Sequence, residues 1–437
     1  MRDLFVTVVV LGSLPMILFR PYLGILMWSW LAYMNPHKLS WGFARDFPFA
    51  MLVALVTLMG LLLATESKRV PRSSITVLLG VFTLWMLLTT LQATYPQLAW
   101  YQWDKVWKIM LMTFVIIMML QSRARIDALI WVMAASIAFY GIKGGIFTLT
   151  TGGAYAVYGP DGTFIGGNNE IGLALIMTIP LLRYLQLQAP NPVLKRVLTP
   201  VMVLCFISVI GTQSRGALVA VTVMLAFFIL KSRRRFGFLL LLAIVAPLIW
   251  NFMPDTWHDR MATIDDYQED ASAMGRINAW WMAFNLAQAE FFGGGFECFR
   301  RGMFRLYAPT PWDVHDAHSI YFEVLGEHGF VGLALFLGIG VVGLQTARSI
   351  IRETKHDPDK RWMADLAAML QVSLIGYAAA GMFLGLAYFD FYYALLAILV
   401  AARQLLTSGE PLAGLLTLRK RTPEASREPA GVGAPAV

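Results

Sequence analysis

Charge is scarce in this chain. Asp, Glu, Lys and Arg make up 14% of its 437 residues, against about 25% in soluble domains. Only two cysteines occur, Cys205 in an apolar segment and Cys298 in a polar one, which excludes a disulfide framework and any cysteine-based metal spacing. There is no internal repeat, so solenoids are excluded. Long polar stretches are limited to residues 253–318 and to the last 25 or so residues, which are rich in Pro, Ala, Gly and Arg and read as a disordered cytoplasmic tail. What is abundant is apolar: 58% of residues are hydrophobic and the mean hydropathy is +0.61. A soluble globular protein and a disordered one are both excluded.

Apolar runs lie near residues 4–34, 47–64, 75–91, 103–120, 127–147, 168–187, 197–212, 216–230, 236–252, 319–346, 363–387 and 388–404. Each except the first suits one crossing of a hydrocarbon layer about 30 Å thick. The first is interrupted by Pro15 and by Arg20-Pro21. The spacing therefore predicts an all-α polytopic membrane protein.

The net charge of +8 invites a nucleic-acid partner, but the cations mark topology instead. Lys231, Arg233, Arg234 and Arg235 form the densest basic cluster and set the cytoplasmic side. Counting outward puts Lys68, Arg69 and Arg72, then Arg123 and Arg125, then Arg183, Lys195 and Arg196 on the same side. Downstream, Arg348, Arg352, Lys355, Lys360 and Arg361 join them, as do Arg403, Arg419, Lys420, Arg421 and Arg427; with Arg2 also inside, 23 of 35 cations become cytoplasmic if residues 4–34 cross once. The expectation is twelve transmembrane helices, both termini inside, and a first crossing that itself directs insertion. Residues 1–252 and 319–404 carry the helices, 253–318 form one large periplasmic loop, and 405–437 form the tail. That loop has no lysine, ten acidic residues and five arginines. Its Trp and Phe residues suit a membrane interface, and Arg276 to Ala289 predicts an interfacial helix ended by Gly293-Gly294-Gly295.

Several polar residues gather at the periplasmic mouths of these runs. Arg215, in Thr212-Gln213-Ser214-Arg215-Gly216, is costly at the membrane edge unless something anionic compensates it. A guanidinium fork matches phosphate oxygens, and Gly216 would let a substrate approach the backbone; snorkelling, or pairing with a loop aspartate, is the alternative. Gly275-Arg276 puts a second arginine near a helix N-terminus, where an anion is favoured. Arg300, Arg301 and Arg305 form a third group, which could instead balance the loop's carboxylates. His318 would stand at the outer mouth of the 319–346 helix, where an imidazole can take a proton from a hydroxyl. A bond to a loop carbonyl, or a metal shared with His315 and Asp316, are the other readings. Asn168, Asn169 and Glu170 open another crossing and suit contact with a sugar or diphosphate, or helix capping. Lys143 could join the anion site or snorkel.

Ser214-Arg215-Gly216, then Gly275-Arg276 before an aromatic helix, then His318-Ser319-Ile320-Tyr321-Phe322-Glu323-Val324-Leu325-Gly326-Glu327-His328-Gly329 resemble the O-antigen ligase and polymerase superfamily. Met1-Arg2-Asp3-Leu4 and Tyr33-Met34-Asn35-Pro36-His37, with Trp41-Gly42-Phe43, are similar to its exosortase-associated O-glycosylation ligase branch. The resemblance implies a GT-C-like, inverting, metal-independent glycan transferase of the bacterial inner membrane, without cofactor. Its donor would be a glycan on undecaprenyl diphosphate, and its acceptor a hydroxyl of the lipid A core. It implies His318 as the catalytic base, Arg215 and Arg276 as the diphosphate clamp, and Arg301 or Arg305 as assistants. Lys143, Asn168, Asn169, Glu170, His315 and Tyr321 are further candidates for substrate contact. A protein O-oligosaccharyltransferase and a glycan polymerase share the mechanism. A lipid-linked glycan transporter is the reading from another class, though transporters place ionisable groups near the midplane rather than at one face.

Overall fold

The computed structural model describes residues 1–65, 68, 70–231, 235–262 and 271–408. Arg69, Arg233, Arg234 and most of the expected C-terminal tail lie outside the described residues. Among these, the chain is helical without a strand: Arg2–Phe19 (α1), Pro21–Met34 (α2), Phe49–Leu63 (α3), Ser74–Leu91 (α4), Pro96–Met119 (α5), Arg123–Thr150 (α6), Asn168–Gln188 (α7), Pro192–Gly211 (α8), Arg215–Lys231 (α9), Arg235–Phe252 (α10), Asp255–Ala262 (α11), Ala271–Ala289 (α12), Arg301–Tyr307 (α13), Ile320–Thr354 (α14), Arg361–Ala380 (α15) and Asp390–Ser408 (α16). Eight described helices, α1, α4, α6, α7, α8, α14, α15 with its continuation to Phe383, and α16, are long and apolar enough to cross a membrane. Phe49–Leu63, Arg215–Leu230 and Leu242–Phe252 are shorter apolar helices. In α5, Asp104, Lys105 and Lys108 shorten the apolar stretch that was expected to begin at residue 103.

Local chemistry places the helix starts. Ser73, Ser122 and Asn191 cap α4, α6 and α8 by accepting from Thr76 N, Arg125 N and Leu194 N at 3.1, 3.4 and 2.7 Å, which satisfies donors a helix leaves open. These caps sit beside the basic residues that define one end of the bundle. There Arg123 meets Asp127 at 3.4 Å and lies 4.7 Å over the Trp362 ring, while Tyr184 donates to Asp127 at 2.6 Å. The core is built around α6, α7, α15 and α16, whose apolar windows are the most buried; α1, α8 and α14 are more peripheral. On α6, Gly141, Gly144 and Gly145 let α8 approach closely: an added Cβ would lie 2.4 Å from Cys205 Sγ, 2.2 Å from Ser208 Oγ and 2.3 Å from the Leu204 carbonyl oxygen. This is small-residue packing of the kind that joins membrane helices.

The first apolar run departs from its expected single crossing. Pro15 is absorbed within α1, but the chain breaks at Arg20, and Pro21 opens α2. Asp3 Oδ1 then accepts from the amides of Gly42 and Ala44, both at 3.1 Å, and Arg2 donates to the Leu39 carbonyl at 3.1 Å. Residues at the start of α1 and beyond the end of α2 therefore share one end, so residues 4–34 form a helical hairpin. Arg125 lies 4.9 Å over the Tyr22 ring, and Tyr140 donates to the Met34 carbonyl. Thus α2 runs parallel to α6, and Arg2 sits at the end opposite the basic one. Placing Arg2 on the same side as Arg72 and Arg125 is corrected. The cation count missed this because a turn of a single residue leaves no polar loop to mark it.

Candidate active site

At the end opposite the basic one, α12 and α13 pack over the start of α14. Ala279, Met282, Ala283 and Leu286 of α12 close on Phe299, Met303, Phe304 and Ala317. Trp280 stacks on Phe322 at 4.9 Å and donates to the Ala317 carbonyl at 2.7 Å. Asn278 holds the opposite rim: it donates to the carbonyls of Thr310 and Asp313 at 2.9 and 2.8 Å and accepts from Thr310 N at 2.9 Å. Between these walls opens a cavity of about 690 Å³ lined by Phe299, Arg300, Arg301, Trp312, Asp313, Val314, His315, Asp316 and His318.

His318 is half-buried and adopts φ 40°, in the left-handed region that non-glycine residues seldom occupy. Such strain persists only where the surroundings enforce it, and it concentrates at functional sites. Burial, and then the positive charge of Arg276, hold its imidazole below the ordinary histidine range; Asp316 pulls the other way and His315 adds to the lowering. Arg276 and His318 are thereby electrostatic neighbours. His315 is oriented by Asp313, its Nε2 lying 2.8 Å from Oδ1. Its ring rests on Gly275, where an added Cβ would lie 2.4 Å from Cδ2. The glycine before Arg276 is thus the seat of a cavity imidazole.

Arg215 begins α9, at the end of a turn fixed on three sides. Gln213 adopts φ 53° and donates to the Gly153 carbonyl at 2.9 Å. Asn168 donates to the Thr212 carbonyl at 3.0 Å, and Ser214 Oγ accepts from Ala217 N at 3.1 Å. Gly216 has a different part from the expected one: an added Cβ would meet Phe383 Cβ at 2.8 Å, so its bareness admits the 381–383 turn rather than a substrate. That turn in turn meets Ile320 through Gly381, which links the start of α9 to the start of α14. Arg215 and Arg276 are not among the residues lining the cavity.

The remaining candidates separate. Arg301 lines the cavity; Arg305, one turn further along α13, is exposed and does not. Arg300, also on the cavity wall, is paired with Glu297. Glu170 folds back over Gly167, which is the N-cap of α7, so neither Asn168 nor Asn169 caps that helix. Asn169 is half-buried beside them. Tyr321 donates to the Ala378 carbonyl at 2.7 Å, tying α14 to α15. Lys143 is exposed, with Nζ 5.5 Å from the Phe139 ring.

Sequence reasoning did not single out Asn278 or the polar pair Glu327 and His328, which are buried in α14 at 5% and 0% exposure. Asn278 falls in a Trp-rich helix where a polar residue reads as surface. Glu327 and His328 stood at the end of the segment that carries the resemblance, with no role attached to either.

Residues 200–337 match the family model described as O-Antigen ligase, and residues 1–189 match that of a family of unknown function (DUF5935). The chain carries an O-antigen ligase domain. Arg215, Arg276, Arg301, Arg305, His315, His318 and Tyr321 all fall within it, whereas Lys143, Asn168, Asn169 and Glu170 fall in the other matched region. The family implies glycan transfer of the ligase or polymerase type, acting on lipid-linked glycans in a bacterial membrane. The eight long apolar helices make the chain a multi-pass membrane protein. No curated protein matches the sequence.

Proposed function

We propose that this protein is an inverting O-antigen ligase that moves a glycan from undecaprenyl diphosphate to a hydroxyl of the lipid A core. The observation that carries the reading is the strained His318, depressed in basicity by burial and by Arg276, at a cavity walled by Arg300 and Arg301. A neutral imidazole is the form that accepts a proton. In the reaction, the acceptor oxygen bonds to the anomeric carbon and its proton passes to His318. The bond from that carbon to the diphosphate oxygen breaks, and the electron pair leaves on the lipid diphosphate. Arg276, Arg215 and Arg301 offset the charge that develops there. Guanidinium forks suit that task, and fixed charges act strongly where water is excluded.

In this reading the end with Arg72, Arg123 and Arg125 faces the cytoplasm, following the bias of cytoplasmic loops toward Lys and Arg. The cavity, and with it the start of α1, faces the periplasm of the inner membrane. The deciding experiment supplies purified, reconstituted protein with a lipid-diphosphate glycan and three acceptors: lipid A core, a peptide hydroxyl and a second lipid-linked glycan, all in EDTA. Transfer to lipid A core alone supports the proposal. Transfer to peptide or glycan moves the protein to the oligosaccharyltransferase or polymerase branch, and passage of donor across the bilayer without transfer makes it a transporter. Loss of activity in EDTA with rescue by Mn²⁺ or Mg²⁺ would overturn the metal-independent mechanism.

A further inference from the structure

We infer that Glu327 is a positioning residue, which fixes the 293–301 loop and thereby the Arg300 and Arg301 wall of the cavity. The loop enters at Gly293 and Gly295, both left-handed at φ 68° and 75°, and turns again at Glu297, left-handed at φ 61°. A non-glycine residue at Glu297 needs its backbone held. Glu327 does this: Oε1 accepts from the Glu297 amide at 2.8 Å, while Oε2 accepts from the Tyr388 hydroxyl at 2.6 Å. One carboxylate therefore joins the loop to α14 and to the start of α16. Three residues beyond Glu297, Arg300 reaches back to the Glu297 carboxylate, and Arg301 follows it onto the cavity.

Glu327 stands at a break in its own helix. α14 breaks at Gly329, at φ 65° and ψ −172°, directly after Glu327 and His328. The Gly294 and Gly295 amides donate to the Gly326 and Glu327 carbonyls at 2.8 and 2.9 Å, and Trp85 Nε1 donates to the His328 carbonyl at 2.9 Å. His328 Nδ1 lies 2.6 Å from Thr89 Oγ1, and its Nε2 is 4.0 Å from Glu327 Oε2. A buried ionisable residue at membrane depth is expensive and is kept where it does something. The backbone bonds hold residues 294 and 295; among the described residues, the Glu327 side chain is what carries the tie from α14 on to the Glu297 amide.

The test is amide hydrogen exchange on the full-length protein in detergent, paired with binding of farnesyl diphosphate as an anionic lipid probe. This second arm rests on the proposed diphosphate chemistry. Glu327→Leu should speed exchange of amides 296–301 and weaken the probe by about tenfold each, with α6 and α8 at wild-type protection. Glu327→Gln should restore both to within about threefold, because its amide oxygen still accepts from Glu297 N. Unchanged exchange at 296–301 in Glu327→Leu, or a loss of protection spread evenly over the bundle, overturns the inference. If Glu327→Leu does not fold, Tyr388→Phe decides by the same local readout: loosening confined to 296–301 supports the inference and none overturns it. If the wild-type protein fails to bind the probe, the diphosphate reading falls while exchange still judges Glu327.

Discussion

Replacing Gly275 by alanine tests whether the cavity imidazoles and Arg276 work as one unit. The new Cβ would stand 2.4 Å from His315 Cδ2, 2.5 Å from Nε2 and 2.9 Å from Cγ, whereas ordinary carbon contacts are about 3.5 to 4.0 Å. The ring must therefore retreat by about 1 Å or more. A swing of the ring would break the bond from Asp313 to its Nε2, and Asn278 fixes the Asp313 carbonyl at 2.8 Å. The displacement passes either to the 313–318 segment that carries His318 or to the α12 turn that carries Arg276. A misplacement of about 1 Å at a reacting group costs about 10²-fold in rate, equivalent to about 2.7 kcal/mol. The assay is kcat/KM for glycan transfer, measured for Gly275→Ala, His315→Ala and the double variant. If the cause is this contact, adding Gly275→Ala to His315→Ala costs little, since the ring it strikes is gone. Wild-type turnover by Gly275→Ala, or an equal loss in both backgrounds, would refute the reasoning.

Further outcomes follow from the same geometry. His318→Ala should lower kcat by about 10²- to 10⁴-fold with the lipid-diphosphate Kd nearly unchanged, in keeping with loss of a general base; a calorimetric or fluorescence titration checks the second half. In kcat/KM profiles the acid limb should lie below the ordinary histidine pKa, because burial and Arg276 both disfavour the protonated ring. Arg276→Gln removes one of those causes, so the limb should move to higher pH, with the extra loss greatest on the acid side. The same sign applies to folding: the unfolded chain takes up this proton first, so stability falls as pH drops through the ordinary histidine range. Gly145→Leu should separate α6 from α8, because the new side chain must occupy the site of the Leu204 carbonyl; a fall in detergent melting temperature with loss of folded yield is expected. Reporter fusions should place residue 72 in the cytoplasm and residues 42 and 280 outside.

Much of the helical architecture was legible because helix length, apolar content and flanking cations are local properties. The exact starts were less so: Ser73, Ser122 and Asn191 cap helices without having been singled out, while Asn168 and Asn169, read as possible caps, do not cap theirs. The α1–α2 hairpin was hidden, since its evidence is a contact between Asp3 and amides about forty residues away. The site divides in the same way. Histidine and arginine beside a membrane mouth announce themselves, and His318, His315, Arg276 and Arg301 do come together. Gly216 misled because close approach explains a bare position as well whether the visitor is a ligand or Phe383. Glu327 was unreadable for a related reason: its value lies in the amide of Glu297, thirty residues upstream, which no local pattern encodes.

The break in α14 also bears on how such a protein can diverge. At Gly329 the helix gives up its own hydrogen-bond ladder, and three of the carbonyls freed nearby are taken by Gly294, Gly295 and Trp85. An open carbonyl in hydrocarbon costs several kcal/mol, so residues 293–295 and 326–329 are bound to one another as a matching pair and must be inherited together. Between them, residues 305–312 carry the exposed side chains of Arg305, Leu306, Pro309 and Trp312, whereas Met303 and Phe304 are packed under α12 and Thr310 and Asp313 are held by Asn278. New side chains at those exposed positions would reshape the cavity mouth without opening the membrane part. Adaptation to another acceptor is therefore expected to be written in that interval, with the glycine turn and the kink left untouched.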